Sequence, residues 1–251
     1  GTSNFIAGVN AGNSITSGGN NNTLIGDEAG TAITTGDNNT AVGKDALKTE
    51  DAHGKNTAVG TNALEDLNAG ADGENVAVGF DAGAEMTLGI KNVLVGSQAG
   101  DALTHADFNV AVGMAALSGD TLGSKSVAVG TFSLLAQNFT TATDTFNTAV
   151  GHSAGLNVTT GIENVLIGGL AGDALTDADF NIAVGTESLG SDTLGSKSVA
   201  IGGGALNAQN FTTATDTHNI AIGFHAGNDI TTGLNNTLIG ALAGDALTDA
   251  D

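Results

Sequence analysis

Apolar residues along this chain come in short bursts at a nearly fixed interval. The strings Asn-Thr-Ala-Val-Gly, Asn-Val-Leu-Val-Gly and Ser-Val-Ala-Ile-Gly recur from one end to the other. With the leading Asn or Ser taken as position 1, units begin at Asn4, Asn22, Asn39, Asn56, Asn75, Asn92, Asn109, Ser126, Asn147, Asn164, Asn181, Ser198, Asn219 and Asn236. Nine of the thirteen steps are 17 residues, and the others are 18, 19, 21 and 21. A helix pair or a βαβ unit needs about 30 residues, so the period suits one coil of a β-solenoid. Position 2 is Val, Thr or Ile except at Phe5, position 4 is Val or Ile except at Ala7, and position 5 is always Gly, from Gly8 to Gly240. A short β-branched run closed by glycine is a strand followed by a corner. The expected fold is therefore all-β, a parallel β-solenoid of about 14 coils of ~17 residues. It fills 1–251 as one repeat domain. Stacked about 4.8 Å apart, the coils would make a rod on the order of 65 Å long. Asp251 falls in mid-coil, so the array is expected to continue. The position-1 asparagines would form a ladder with a structural role.

A second pattern concerns the interior. Position 9 alternates in pairs, Gly12 and Gly30, then Leu47 and Leu64, then Gly83 and Gly100, and so on. Where it is Gly, position 12 is large and apolar (Ile15, Ile33, Met86, Leu103, Val158, Leu175, Ile230, Leu247). Where it is Leu, position 12 is Glu50, Leu67, Asp120, Gln137, Asp192 or Gln209. Positions 9 and 12 are thus expected to share one interior volume, because cores tolerate neither voids nor overpacking.

Along the strand, positions 2 and 4 face one way and position 3 the other. Position 3 reads Ile6, Leu24, Ala41, Ala58, Ala77, Leu94, Ala111, Ala128, Ala149, Leu166, Ala183, Ala200, Ala221, Leu238. If the β-branched residues line the interior, this Ala/Leu stripe lies outside, a long apolar surface that parallel copies would bury as a dimer or trimer. The alternative is a flattened coil that covers the stripe internally and leaves a monomer.

Composition narrows the function. The 251 residues include 39 glycines and no proline, cysteine, tryptophan or tyrosine. Without cysteine there are no disulfides or thiolate metal sites. No stretch approaches the ~18 apolar residues of a membrane-spanning helix, so no membrane insertion is expected of this segment. Twenty-seven acidic residues against six lysines give a net charge of −21, which repels phosphate backbones and makes nucleic acid an unsuitable partner.

The strings Gly-Ser-Lys-Ser-Val-Ala-Val-Gly at 123–130 and Gly-Ser-Lys-Ser-Val-Ala-Ile-Gly at 195–202, with the recurring Asn-Thr-Ala-Val-Gly, resemble the head repeats of trimeric autotransporter adhesins. Similar repeats occur in trimeric phage tail fibres. The resemblance covers all fourteen units. It implies a left-handed β-roll, three chains side by side, an extracellular place on a cell surface or virion tail fibre, and attachment to a host-surface, matrix or glycan receptor. The coils here are longer than that family's usual repeat, and the segment shows no heptad stalk, neck or membrane anchor.

Candidate chemistry is sparse. The histidines His53, His105, His152, His218 and His225 occupy different repeat positions, and no metalloprotease, nucleophile-elbow, P-loop or dinucleotide motif occurs, so no enzyme activity and no catalytic residue is expected. Calcium is the one cofactor candidate. Asp173, Asp177 and Asp179 lie in Gly-Asp-Ala-Leu-Thr-Asp-Ala-Asp, Asp245, Asp249 and Asp251 repeat it, and the third copy keeps Asp101 and Asp107 around His105. Closely spaced carboxylates suit a hard cation, while a solvated acidic turn is the plainer alternative.

The 21-residue coils share Ala-Gln-Asn-Phe-Thr-Thr-Ala-Thr-Asp-Thr at 136–145 and 208–217. Their extra residues must bulge outward. Gln137, Asn138, Thr140, Thr141, Thr143 and Asp144, with Gln209, Asn210, Thr212, Thr213, Thr215 and Asp216, are candidate receptor contacts, while Phe139 and Phe211 are expected to fold back as plugs. A rival reading is ice binding by the position-13 column Thr16, Thr34, Thr87, Thr104, Thr121, Thr159, Thr176, Thr193, Thr231 and Thr248, which can equally be a core-edge ladder.

Overall fold

The computed structural model describes residues 2–249, and all regular structure among them is β. No helix among them is long and apolar enough to cross a membrane. The fold is a parallel β-solenoid of about fourteen coils. It divides into two compact units, one running to Lys125 with Thr140–Thr143, the other comprising Ser126–Phe139 and the residues from Asp144 on.

In the first unit a three-residue strand occupies positions 2–4 of each coil, at Phe5–Ala7, Thr23–Ile25, Thr40–Val42, Thr57–Val59, Val76–Val78, Val93–Val95 and Val110–Val112. Neighbouring strands are parallel, with equal repeat positions opposite each other: Thr23 pairs with Thr40, Leu24 with Ala41, Ile25 with Val42. The second unit repeats this at Val127–Val129, Thr148–Val150, Val165–Ile167, Ile182–Val184, Val199–Ile201, Ile220–Ile222 and Thr237–Ile239. The longer coils do not disturb the register, since Thr57 still pairs with Val76 and Val199 with Ile220. Surplus residues are extruded from the coil instead.

The corner explains the invariant glycine. Gly43 has φ near 142°, and a Cβ there would lie 2.3 Å from the carbonyl oxygen of Gly60 in the next coil. No side chain fits between backbones that close.

The strand faces are opposite to the expected ones. Leu24, Ala41, Ala58, Ala77, Leu94 and Ala111 are fully buried, as are Ala128, Ala149, Leu166, Ala183, Ala200 and Ala221. Leu238 is half-buried, and only Ile6 in the first described strand is exposed. The β-branched residues at positions 2 and 4 point outward instead. The stripe expected to form an oligomer interface is therefore the inner lining of the coil. A β-branched preference fits a pleated sheet surface but does not choose its face. The volume behind the strand makes that choice, because it is already largely taken by side chains from positions 9 and 12.

That volume is shared as the Gly/Leu alternation requires, with position 3 as a third partner. A Cβ on Gly12 would lie 2.8 Å from Leu24 Cδ1, and one on Gly30 would lie 2.8 Å from Leu24 Cδ2. One leucine thus fills the space of two glycines in successive coils. Leu94 does the same for Gly83 and Gly100, and Leu166 for Gly155 and Gly172. Where position 9 is Leu, as at the buried Leu47, Leu64 and Leu206, position 3 shrinks to Ala. Gly and Leu at position 9 share a left-handed backbone, with φ of 55° at Gly100 and 56° at Leu117. The leucines accept that conformational cost in exchange for packing.

The asparagine ladder is structural. The Asn39 N–H donates to Asn22 Oδ1 at 2.9 Å, and the Asn56 N–H donates to Asn39 Oδ1 at 3.0 Å. Asn22 Nδ2 donates to Gly36 O at 2.8 Å, closing its own coil.

Candidate functional surfaces

Three features face outward: the sheet face, the inserted loops and the acidic turns. The sheet face has two parallel columns of β-branched side chains at positions 2 and 4, each partly or wholly exposed. Val93 is 36% exposed and Ile182 38%. Exposed aromatic residues flank it at both edges. Phe80 and Phe224 stand just past the corner glycine at 53% and 61% exposure, and Phe108, Phe146 and Phe180 stand just before position 1. Lys91 Nζ lies 5.3 Å from the centre of the Phe108 ring.

The inserted loop at 208–217 is anchored by a buried polar network. Gln209 Nε2 donates to Asp192 Oδ2 at 2.5 Å and to Ser198 Oγ at 2.8 Å, and Asn219 Nδ2 donates to Gln209 Oε1 at 2.9 Å. Ser198 Oγ lies 2.6 Å from Thr217 Oγ1. Asp192 also accepts the N–H groups of Gly195 and Phe211 at 3.1 and 2.9 Å. Serine replaces asparagine at position 1 in both 21-residue coils because Gln takes over the bonding of the missing amide. In the other copy, Gln137 Nε2 donates to Ser126 Oγ at 2.9 Å and Asn147 Nδ2 to Gln137 Oε1 at 2.9 Å.

Gln137 and Gln209 are therefore interior residues, not receptor contacts. Phe139 and Phe211 are buried as plugs. Of the remaining candidates, Asn138, Thr140, Thr141, Asp144, Asn210, Thr212, Thr213 and Asp216 are exposed, and Thr143 and Thr215 are half-buried. Lys197 Nζ reaches Asp216 Oδ2 at 2.5 Å, and Thr215–Asp216 pairs in parallel with Gly195–Ser196, leaving 212–214 as the projecting tip.

The acidic turns do not converge. Asp177 Oδ1 accepts from Thr160 Oγ1 at 2.6 Å, and Asp179 Oδ1 accepts the Ile162 N–H at 2.8 Å. Burial raises the Asp173 and Asp179 carboxyls above their ordinary range, and acidic neighbours add to the effect. Among the described residues Asp245 and Asp249 join no cluster of three ligand groups, and Asp251 lies outside the described residues. Asp101 and Asp107 also part company, Asp107 Oδ1 accepting the Ile90 N–H at 2.8 Å.

Among the described residues, one set of three ligand-bearing side chains does meet: Glu50, Asp51 and His53. No repeat column signalled it, because it occurs in a single coil. The threonine column is turned toward its own backbone. Thr34 Oγ1 donates to Asp51 O at 3.0 Å, Thr104 Oγ1 to Thr121 O at 3.0 Å and Thr176 Oγ1 to Thr193 O at 3.0 Å. No protein-family model, curated protein or solved structure matches the chain.

Proposed function

We propose that this chain is a non-catalytic structural and adhesive rod. It associates with copies of itself as a side-by-side homotrimer of left-handed solenoids and presents its inserted loops to a receptor at a cell or virion surface. The observation that supports this reading best is the outward sheet face, with β-branched columns bordered by exposed phenylalanines on both sides. Seven strands about 4.8 Å apart and about 10 Å long present roughly 340 Å² in each unit. Both units and the aromatic edges are then needed to approach the roughly 800 Å² per partner of a specific interface. The resemblance to trimeric adhesin and tail-fibre repeats favours three copies, and an extracellular setting suits the acidic surface.

Sedimentation equilibrium of the purified chain tests the proposal. The expected species has three times the 24.4 kDa chain mass. Charging the face with Val78→Lys and Ile222→Lys should return it to monomer without unfolding. A folded, soluble monomer of the unaltered chain at tens of micromolar would refute the trimer. Ice binding is the rival reading, but the threonine hydroxyls it would use are engaged with backbone carbonyls, so no thermal hysteresis is expected.

A further inference from the structure

The coil that starts at Asn39 differs from its neighbours at one corner, and the difference has the character of a metal site. We infer that Glu50, Asp51 and His53 bind a divalent transition-metal ion of zinc-like preference. One ligand atom from each of the three lies within 4.8 Å of the others. The Glu50 side chain is wholly buried, and its oxygens accept only backbone N–H groups in this structure, Oε1 from His53 and Oε2 from Ala69, each at 3.2 Å. His53 Nδ1 is buried and has no hydrogen-bond partner. It lies 3.6 Å from Glu50 Oε1, too far for an N–H···O bond. Two ligands on a tetrahedral ion with bonds of about 2.0–2.1 Å stand roughly 3.3 Å apart, so a small closure would seat both. The imidazole is one-third exposed, which gives an ion access and leaves a coordination position for water.

The repeat supplies an internal comparison. In the coils containing Asp120 and Asp192 the same corner is built with the position-12 carboxylate accepting the N–H of position 15, at 3.1 Å for both Gly123 and Gly195. Those coils place Thr at position 13 and Gly at position 15. The corner with a position-12 acid therefore forms with neither a carboxylate at 13 nor an imidazole at 15. Asp51 and His53 are additions that folding does not require, and they converge on the buried acid. Imidazole and carboxylate together suit zinc or its neighbours better than calcium, which prefers oxygen ligands alone.

Calorimetric titration of the full chain with zinc chloride at neutral pH, and with cobalt(II) read by its visible absorption, tests the inference. One ion per chain should bind, with a rise in melting temperature. His53→Gly and Asp51→Thr restore residues that the repeat itself uses at those positions, so both variants should fold. Each should weaken zinc binding by about tenfold or more and abolish the thermal shift. Absence of one-to-one binding, or unchanged affinity in His53→Gly, would overturn the site and place any bound ion at another histidine. Should His53→Gly fail to fold, Asp51→Thr decides the matter alone, and unchanged affinity there also counts against the site.

Discussion

At the scale of single residues, the interior is governed by exchange among positions 3, 9 and 12. Gly172 is the clearest case, since a Cβ there would lie 2.7 Å from Leu166 Cδ2 and 2.9 Å from Leu175 Cδ1. Gly172→Leu should therefore destabilise the protein by about 1–3 kcal/mol through overpacking, read as a lower melting temperature. Adding Leu166→Ala, which recreates the arrangement of Ala183 and Leu189 in the next coil, should recover part of the loss. Asp101 makes a second residue-scale prediction. Burial raises its carboxyl above the ordinary value of 3.8, Glu85 and Asp81 add to the shift, and its Oδ1 is buried without a hydrogen-bond partner. An acid raised in the folded state destabilises that state while ionised. Stability should therefore rise as pH falls through the raised value and level off below 3.8. Asp101→Asn should raise the melting temperature at pH 7 and lose that advantage in acid; an equal gain at both pH values would show that charge is not the cause.

At the scale of the element, the inserted loop is a folded appendage held by its plug. Phe211→Ala should cost about 3–5 kcal/mol, because the ring is nearly fully buried and its removal leaves a void, while the backbone bond from residue 211 to Asp192 is retained. Replacing 208–217 with the corner of a 17-residue coil should leave the stack folded and reduce attachment to a receptor-bearing surface, if the tip at 212–214 makes the contact. The plug was legible in the sequence, because Gln209 stands where an apolar side chain usually sits and Phe211 is the nearest replacement. The period and the corner glycine were legible for a similar reason: each is one steric demand repeated fourteen times. The direction of the strand faces was not. Both faces of Val-Ala-Val are apolar, and alternation says only that they oppose each other. What turned Ala inward was leucine packed behind the strand, from position 9 of the same coil as at Leu117 or from the adjacent coils as at Leu64 and Leu94 around Gly83, and it meets the strand only once the corner has folded. The meeting of Glu50 with His53 was hidden likewise, since a pattern found in one coil cannot appear as a column.

At the scale of the whole molecule, charge and apolar surface act against each other. Each chain carries −21, and among the six lysines Lys48, Lys55 and Lys197 reach acids in a neighbouring coil, as where Lys48 Nζ lies 3.1 Å from Glu28 Oε2 in the coil before and 3.7 Å from Glu65 Oε1 in the coil after. Bringing three such chains together sums like charges, whereas burial of the β-branched face is insensitive to charge. Salt shortens the reach of the repulsion to about 10 Å at 0.1 M and further above that, and leaves the hydrophobic gain intact or stronger. Association should therefore strengthen between about 20 mM and 500 mM sodium chloride, and again as pH falls toward the isoelectric point near 4.1. Sedimentation equilibrium across that range should show the trimer fraction rising with salt. A fraction that falls with salt would mean that ionic contacts hold the copies together, and the sheet face would then have to be given up as the seam.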